Sequence, residues 1–435
     1  MPSTTRRQFV KQSGTVSLLA AAPLVRNTFA KDRPSDTVNV AVMGIRSRGT
    51  DHAMSLASLP NVNVAVLCDP DERLFPKTIA EVEKICGKRP RTETDIRKVL
   101  ENKDIDAITV AAPNSWHALA TIWACQAGKD VYVEKPVSHN ISEGRRMVEA
   151  ATKYSRIIQV GTQGRSSPLV RSAMEFLHGG RLGKIYMVKC VIFRPRESLG
   201  RKLNSPVPEG VHYDLWVGPS PWRPFNENRF HYNWHWFWDT GNGETGNNGP
   251  HYTDIARWAL QKYEHPRRIQ SMGGYDVFDS DQETLNTQFS LLEYQDGTRV
   301  QVEVRGLYTN AEDGMTMGLL VYGSEGWMHL NFERWAAFYG RKNEPGEHRE
   351  LPEEKDTSHF ANFVECVRTR KVEALAAPIL EGHLSTSMCH LANIAYRAGR
   401  QVIFDPVNEN FPGDDLANSY LTREYRYPFV VPERI

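Results

Sequence analysis

The sequence predicts an α/β protein in two parts. A doubly wound parallel sheet of the Rossmann type comes first, followed by an α/β domain on a large, mostly antiparallel sheet open on one face. Three observations carry this reading. Short apolar runs alternate with helix-compatible segments from Val38 to Val160; a glycine-broken turn follows the first run; past Gly161, strand-like runs succeed one another with few helices between them. The chain has 435 residues, 40% of them hydrophobic, enough for roughly two domains with separate cores. Its 53 basic and 52 acidic residues give a formal charge of +1, so no global field recruits nucleic acid or an anionic membrane, and a small ligand is expected.

At the amino end, Thr5-Arg6-Arg7-Gln8-Phe9-Val10-Lys11 precedes an apolar run from Gly14 to Val25 and the small-residue stretch Thr28-Phe29-Ala30. This order resembles a twin-arginine export signal, so residues 1–30 are read as a leader and the protein as periplasmic or otherwise exported. The apolar run is too short for a mature membrane helix, and nothing later approaches about 18 uninterrupted apolar residues. No membrane contact is expected of the mature form. The six cysteines are widely separated and never spaced Cys-x-x-Cys, which suggests free, mostly buried thiols rather than a zinc site or disulfide framework.

The first domain, residues 31–165, opens with the strand Val38–Met43. The turn Gly44-Ile45-Arg46-Ser47-Arg48-Gly49 follows, and then helix-compatible residues from Asp51 to Leu59. Strand, glycine turn and helix in this order place a pyrophosphate on a helix amino terminus. The turn departs from Gly-x-Gly-x-x-Gly at the middle glycine, where Arg46 stands. A second strand, from Val62 to Cys68, ends in Asp69, about 20 residues past the last glycine, where a carboxylate can accept hydrogen bonds from both ribose hydroxyls of an adenosine. Asp69 would repel a 2′-phosphate and favours NAD over NADP, although Arg46, Arg48 or Arg73 could serve a phosphate. Further strands are read at Ile105–Ala111, Val131–Glu134 and Ile157–Val160, with helices around 74–85, 95–102, 115–126 and 142–154.

Two strand ends carry chemistry. Ala112-Pro113-Asn114-Ser115-Trp116-His117 turns a strand into a helix capped by Asn114 or Ser115, and it puts His117 in the first turn, facing the cleft or the solvent. Gly128-Lys129-Asp130-Val131-Tyr132-Val133-Glu134-Lys135-Pro136 is a helix stop, a buried strand, and then Glu134 and Lys135 at its carboxyl end, where ligands bind in an open parallel sheet.

The glycine turn, Asp69, Pro113-Asn114-x-x-His117 and Glu134-Lys135-Pro136, in this order and spacing, resemble the dinucleotide domain of the glucose-fructose oxidoreductase, inositol dehydrogenase and MocA family. The resemblance implies cofactor contacts from Gly44, Arg46, Ser47, Arg48, Gly49, Asp69, Pro113, Asn114, His117, Glu134 and Lys135. It also implies that Lys135 lies beside the nicotinamide and the substrate hydroxyl that is oxidised.

In the second domain, residues 166–435, a helix from Leu169 to His178 precedes strand-like runs at Ile185–Phe193, Thr287–Tyr294, Arg299–Arg305 and Leu319–Tyr322, with a hairpin signal at Asp296-Gly297. Family members use the open face of such a sheet in oligomer contacts, so a homo-oligomer is expected. Two amphipathic helices, His359–Arg370 and Ile379–Arg400, and a polar tail draped over the surface complete the chain. Between the first and second runs lies a dense aromatic region, Tyr213 to Trp238. Trp222 and Trp236 are taken from it as rings that stack on the apolar face of a sugar.

The glycine-rich loop Gly241–Gly249 then leads into a helix carrying His251 and Asp254 three apart, on one side of its start. His251 is read as acid or base and Asp254 as its orienting carboxylate. This stretch resembles the family's substrate-site helix, where a histidine works with the lysine of Glu-Lys-Pro. Many relatives carry an aspartate four residues before that histidine, whereas this chain has Asn247, which can hydrogen-bond a hydroxyl but cannot take its proton. The proton then goes to His251 or Lys135. A metal reading of His231, His235 and His251 is set aside, because the segment around the first two is not clearly helical.

Together these readings predict an exported oxidoreductase acting on a sugar, sugar derivative or glycoside, with tightly bound NAD recycled in each turnover. A redox-neutral glycosidase of the same family is the alternative, and so is a sugar-binding scaffold that kept the dinucleotide fold, which Arg46 and Asn247 favour.

Overall fold

The computed structural model describes residues 37–350 and 358–435. The expected leader, residues 1–30, lies outside them.

Six short strands form the first sheet: β1 (Val38–Met43), β2 (Val62–Cys68), β3 (Arg91–Glu93), β4 (Ala107–Val110), β5 (Asp130–Val133) and β6 (Ile158–Val160). All pairs are parallel, in the order β3-β2-β1-β4-β5-β6. The order reverses between β1 and β4, and the crevice outside the carboxyl ends of the strands opens there. Alternate residues of β1 feed opposite faces. Val40 and Val42 pack with Ala53, Leu56 and Ile79 on one side, whereas Ala41 and Met43 pack with Trp116, Leu119 and Ile122 on the other. Every residue of β4, β5 and β6 is buried, as expected of strands covered by helices on both faces. Each such Val or Ile contributes about 1.5–3 kcal/mol by leaving water.

The second sheet has nine strands: β7 (Ile185–Phe193), β8 (Arg268–Gly274), β9 (Thr287–Glu293), β10 (Arg299–Arg305), β11 (Met317–Gly323), β12 (Gly326–Leu330), β13 (Arg334–Tyr339), β14 (Glu344–Glu350) and β15 (Val402–Ile403). Only β7 and β10 pair in parallel; every other pair is antiparallel. One face, with Val188, Cys190, Val302, Leu319 and Met328, packs on the helices Pro168–His178, Gly249–Ala259 and Ile379–Ala398. The other face leaves Met272, Phe289 and Leu291 exposed.

The carboxyl-terminal region differs from expectation. Helix Ser358–Thr369 serves the first sheet, packing Phe360 and Phe363 against Tyr132 at ring distances of 4.6 and 5.8 Å. The tail is no surface drape, because it buries Phe429 and Val431 in the core around Trp116. The apolar residues of both segments pair with a partner too distant in sequence for local pattern to assign. No helix among the described residues is long and apolar enough to cross a membrane.

Candidate active site

At the carboxyl ends of β1, β2, β4 and β5 lies a cavity of about 570 Å³. Gly44, Arg46, Ser47, Arg48, Asp69, Pro113, Asn114, His117, Glu134, Lys135, Asn247 and His251 all line it. The first helix begins at Arg48, earlier than predicted, so Arg48 and Gly49 form its first turn. Gly44 has φ +77°, and a Cβ there would stand 2.8 Å from the Ala111 carbonyl; one on Gly49 would stand 1.6 Å from the Gly44 oxygen. Both positions therefore require glycine. The Ser47 side chain makes no cap hydrogen bond, so it leaves the amino-terminal N–H groups of this helix, the kind of donor a pyrophosphate takes, without a side-chain partner. Arg46, in place of the middle glycine, is exposed at the rim and leaves this cradle intact.

Asp69 is buried, with Oδ2 accepting from the Ile45 amide and Oδ1 from the Asp71 amide, each at 2.9 Å. Burial pushes its carboxyl up to about 6, against the pull of these two amides. Its remaining lone pairs suit a ribose diol, so cradle and carboxylate together fit a dinucleotide.

Glu134 locks the strand end. Burial alone would raise its carboxyl, but Arg48 and His52 hold it well below the usual carboxylate range. Arg48 Nε donates to Oε1 at 2.8 Å, His52 Nε2 lies 3.0 Å from the same oxygen, and the Lys135 amide donates to Oε2 at 3.2 Å. Gly161 is needed beneath it, since a Cβ there would lie 2.7 Å from the carboxylate. Arg48 is thus tied to Glu134 as well as lining the cavity. The role of His52 was not legible in the sequence, because its partner stands 82 positions away.

Lys135 Nζ donates to the main-chain carbonyl of Asn247 at 2.9 Å, and the Asn247 amide lies 3.5 Å from the Tyr232 hydroxyl. Burial pushes the Lys135 ammonium down, opposed by Glu134. His251 borders the same cavity, and its ring has no hydrogen-bond partner among the described residues. Burial, reinforced by Lys135, pushes it down to about 3, so it stands neutral at pH 7.

Several expectations need correction. Asp254 does not orient His251: its carboxylate takes Arg165 at 2.8 and 3.0 Å and Ser385 Oγ at 2.7 Å, on the core side of the helix. Of the two orientations expected for His117, it takes the one toward the cleft and not the one toward the solvent. It is buried, with Nδ1 2.7 Å from the Pro136 oxygen and Nε2 2.9 Å from the Ala112 oxygen, so it ties two strand ends together. Neither Asn114 nor Ser115 caps its helix; Pro113 occupies the cap position, and Asn114 is buried in the first turn. Trp222 is 55% exposed against Tyr213 and Arg426, and buried Trp236 packs under Arg196; neither borders the cavity. Trp116, Trp216, Tyr232 and Trp234 supply its aromatic walls instead.

His231, His235 and His251 do not converge on a metal position. His231 Nε2 pairs with Asp71 at 2.9 Å, and His235 Nδ1 lies 2.6 Å from the Tyr232 oxygen. The group of this kind among the described residues is His265, His383 and Glu409, where both Nε2 atoms lie 2.8 Å from one carboxylate oxygen. Arg145 already neutralises that carboxylate, and both Nδ1 atoms lack the partner a ligating histidine carries, so the group is read as a structural pin.

Comparison with known proteins matches residues 38–162 to the model "Oxidoreductase family, NAD-binding Rossmann fold" of the Gfo/Idh/MocA oxidoreductases, and residues 197–431 to that family's C-terminal alpha/beta domain. The chain belongs to the Gfo/Idh/MocA family. It is 23% identical to the levoglucosan dehydrogenase of Pseudarthrobacter phenanthrenivorans, over 68% of this chain and 74% of that protein. A glycosyl hydrolase family 109 protein of Shewanella is 25% identical over 41% of this chain, and the match spans about half (46%) of the relative's length. The aldose-aldose oxidoreductase of Caulobacter crescentus shares the fold at a TM-score of 0.64 and 18% identity, covering 85% of this chain and all (100%) of that one. The family assignment thus joins an NAD-binding Rossmann fold to that family's C-terminal alpha/beta domain in one chain.

Proposed function

We propose that the protein is an exported oxidoreductase acting on a CH–OH group of a sugar, sugar derivative or glycoside, with its NAD kept bound and restored within each turnover. The observation that carries the reading is Lys135: a half-buried amine at the cavity wall, held by the second domain and flanked by the open imidazole of His251. NAD, when bound, supplies a reversible hydride acceptor.

The chain's own groups do the rest. Gly44, Gly49 and Asp69 would hold the pyrophosphate and ribose. Lys135 Nζ, driven toward the neutral amine by burial, takes the proton of the substrate hydroxyl. Asn247 can position that hydroxyl without exchanging a proton. His251, neutral at pH 7, can pass a proton onward through either ring nitrogen. The aromatic walls exclude water and favour a flat sugar face.

Retention of the cofactor follows from joining export to this site, since no free nicotinamide pool exists outside the cytoplasm to exchange with. Similarity to the aldose-aldose oxidoreductase supports passage of hydride to a second sugar. Similarity to the family 109 hydrolase supports a second reading, transient oxidation that acidifies the neighbouring C–H bond so that the aglycone is eliminated before water addition and re-reduction. The exposed Met272, Phe289 and Leu291 on the open sheet support a homo-oligomer through that face. Incubating protein purified without added NAD with aryl glycosides, and separately with pairs of aldose and ketose, tests both routes. Product from neither set would remove the proposal.

A further inference from the structure

The aromatic segment Gly210–Trp236 crosses the mouth of the cleft, and it is fastened on both lips. On the lip after β2, His231 Nε2 pairs with Asp71 Oδ2 at 2.9 Å and His212 Nε2 with Glu72 Oε1 at 2.6 Å. The main chain adds a short antiparallel clasp, with the Glu72 amide donating to the Gly210 oxygen at 2.9 Å and the His212 amide to the Pro70 oxygen at 2.8 Å. On the opposite lip, Trp116 Nε1 donates to the Trp216 oxygen at 3.2 Å. Gly218 presses so closely on that indole that a Cβ there would lie 2.2 Å from it. Between the two fastenings, Trp216, His231 and Trp234 line the same cavity as Asp69 and Thr94.

We infer that Gly210–Trp236 is the second half of the dinucleotide site, a strap that closes over the adenosine end and must lift before NAD can leave. The inference rests on the reading of the cleft as a dinucleotide site and extends it. The first domain supplies the cradle and the ribose carboxylate, and the second supplies the cover. Asp69 and Asp71 divide the work: the first faces the cavity, and the second, wholly buried, holds the cover down through His231. An aromatic cover tied by two histidine-carboxylate contacts is a physical basis for the slow release that the proposed function needs, because opening must break these contacts before any nucleotide contact is lost.

The test uses the full chain loaded with NADH and chased with excess NAD, following the loss of bound-nucleotide fluorescence. The double variant His212→Ala/His231→Ala should release NADH about tenfold faster or more, and His231→Gln, whose amide can still donate to Asp71, should release it near the wild-type rate. Melting temperatures without nucleotide establish that each variant is folded; should the double variant fail to fold, His212→Ala alone must still release faster. Release at the wild-type rate from a folded variant overturns the strap while leaving the dinucleotide reading intact. Wild-type protein that neither yields nucleotide on denaturation nor gains stability from added NADH overturns both.

Discussion

Lys135 Nζ donates to the main-chain carbonyl of Asn247 at 2.9 Å, and this hydrogen bond joins the end of β5 to the glycine-rich loop of the second domain. The amine proposed to take the substrate proton is thus positioned by both halves of the molecule. Lys135→Met should keep fold and nucleotide yet lose about two or more orders of magnitude in turnover, and His251→Ala should do likewise, as expected when a positioned proton-transfer group is removed. Near-normal rates in both variants would refute the assignment.

Asn247→Asp puts a negative charge beside Lys135. An opposite charge favours the ammonium, so the Lys135 pKa rises. Turnover needs the neutral amine, and the acid limb of the pH-rate profile should therefore move to higher pH. A limb that stays in place, or moves down, would separate Lys135 from the titrating group.

Asp69 predicts a pH-dependent affinity. Burial pushes its carboxyl up to about 6, and ribose hydroxyls donate to the ionised form, so binding favours proton release. NAD affinity should be flat above that pH and weaken toward a tenfold loss per unit below it, measurable by calorimetry between mildly acidic and neutral pH. Asp69→Asn should bind more weakly at neutral pH and show no such slope.

Asp254 separates a structural from a catalytic role. Its ion pair with Arg165 is buried, with side-chain exposures of 1% and 12%, so Asp254→Ala leaves the guanidinium with Glu381 alone, which lies 3.0 Å away. A stability loss of about 1–3 kcal/mol is expected in denaturant titration. The pH-rate profile of the folded fraction should be unchanged, whereas a profile shifted like that of a His251 variant would return Asp254 to the catalytic group.

The first sheet was legible because its strands are short, apolar and separated by amphipathic helices; only Arg91–Glu93, a three-residue polar edge strand, escaped. The second sheet was half legible. β12 to β14 are short, partly polar strands at one edge, and β8 reads Arg-Ile-Gln-Ser-Met-Gly-Gly, where polar alternation and two glycines mask the pattern. At the site, Lys135, Asn247 and His251 were found because motif order brings strand ends and one helix start to a single cleft. Asp254 was misread because spacing of three fixes a helix face but not which neighbour the face meets, and Arg165 lies 89 residues away. The aromatic region shows the same limit: composition announced ring stacking, yet the 3-10 turn His231–Trp236 decides that Tyr232 and Trp234 face the cavity while Trp236 faces the core.

The protein is proposed to restore its own NAD in every cycle. The most direct measurement is to purify the full chain without added nucleotide, quantify the NAD it carries, and follow product from aryl glycosides and from aldose-ketose pairs together with absorbance at the reduced-nicotinamide band. Many turnovers per bound NAD are expected, with no net rise in that band. Turnover only when NAD is supplied in stoichiometric excess, with NADH accumulating as product forms, would contradict this and leave an ordinary dehydrogenase.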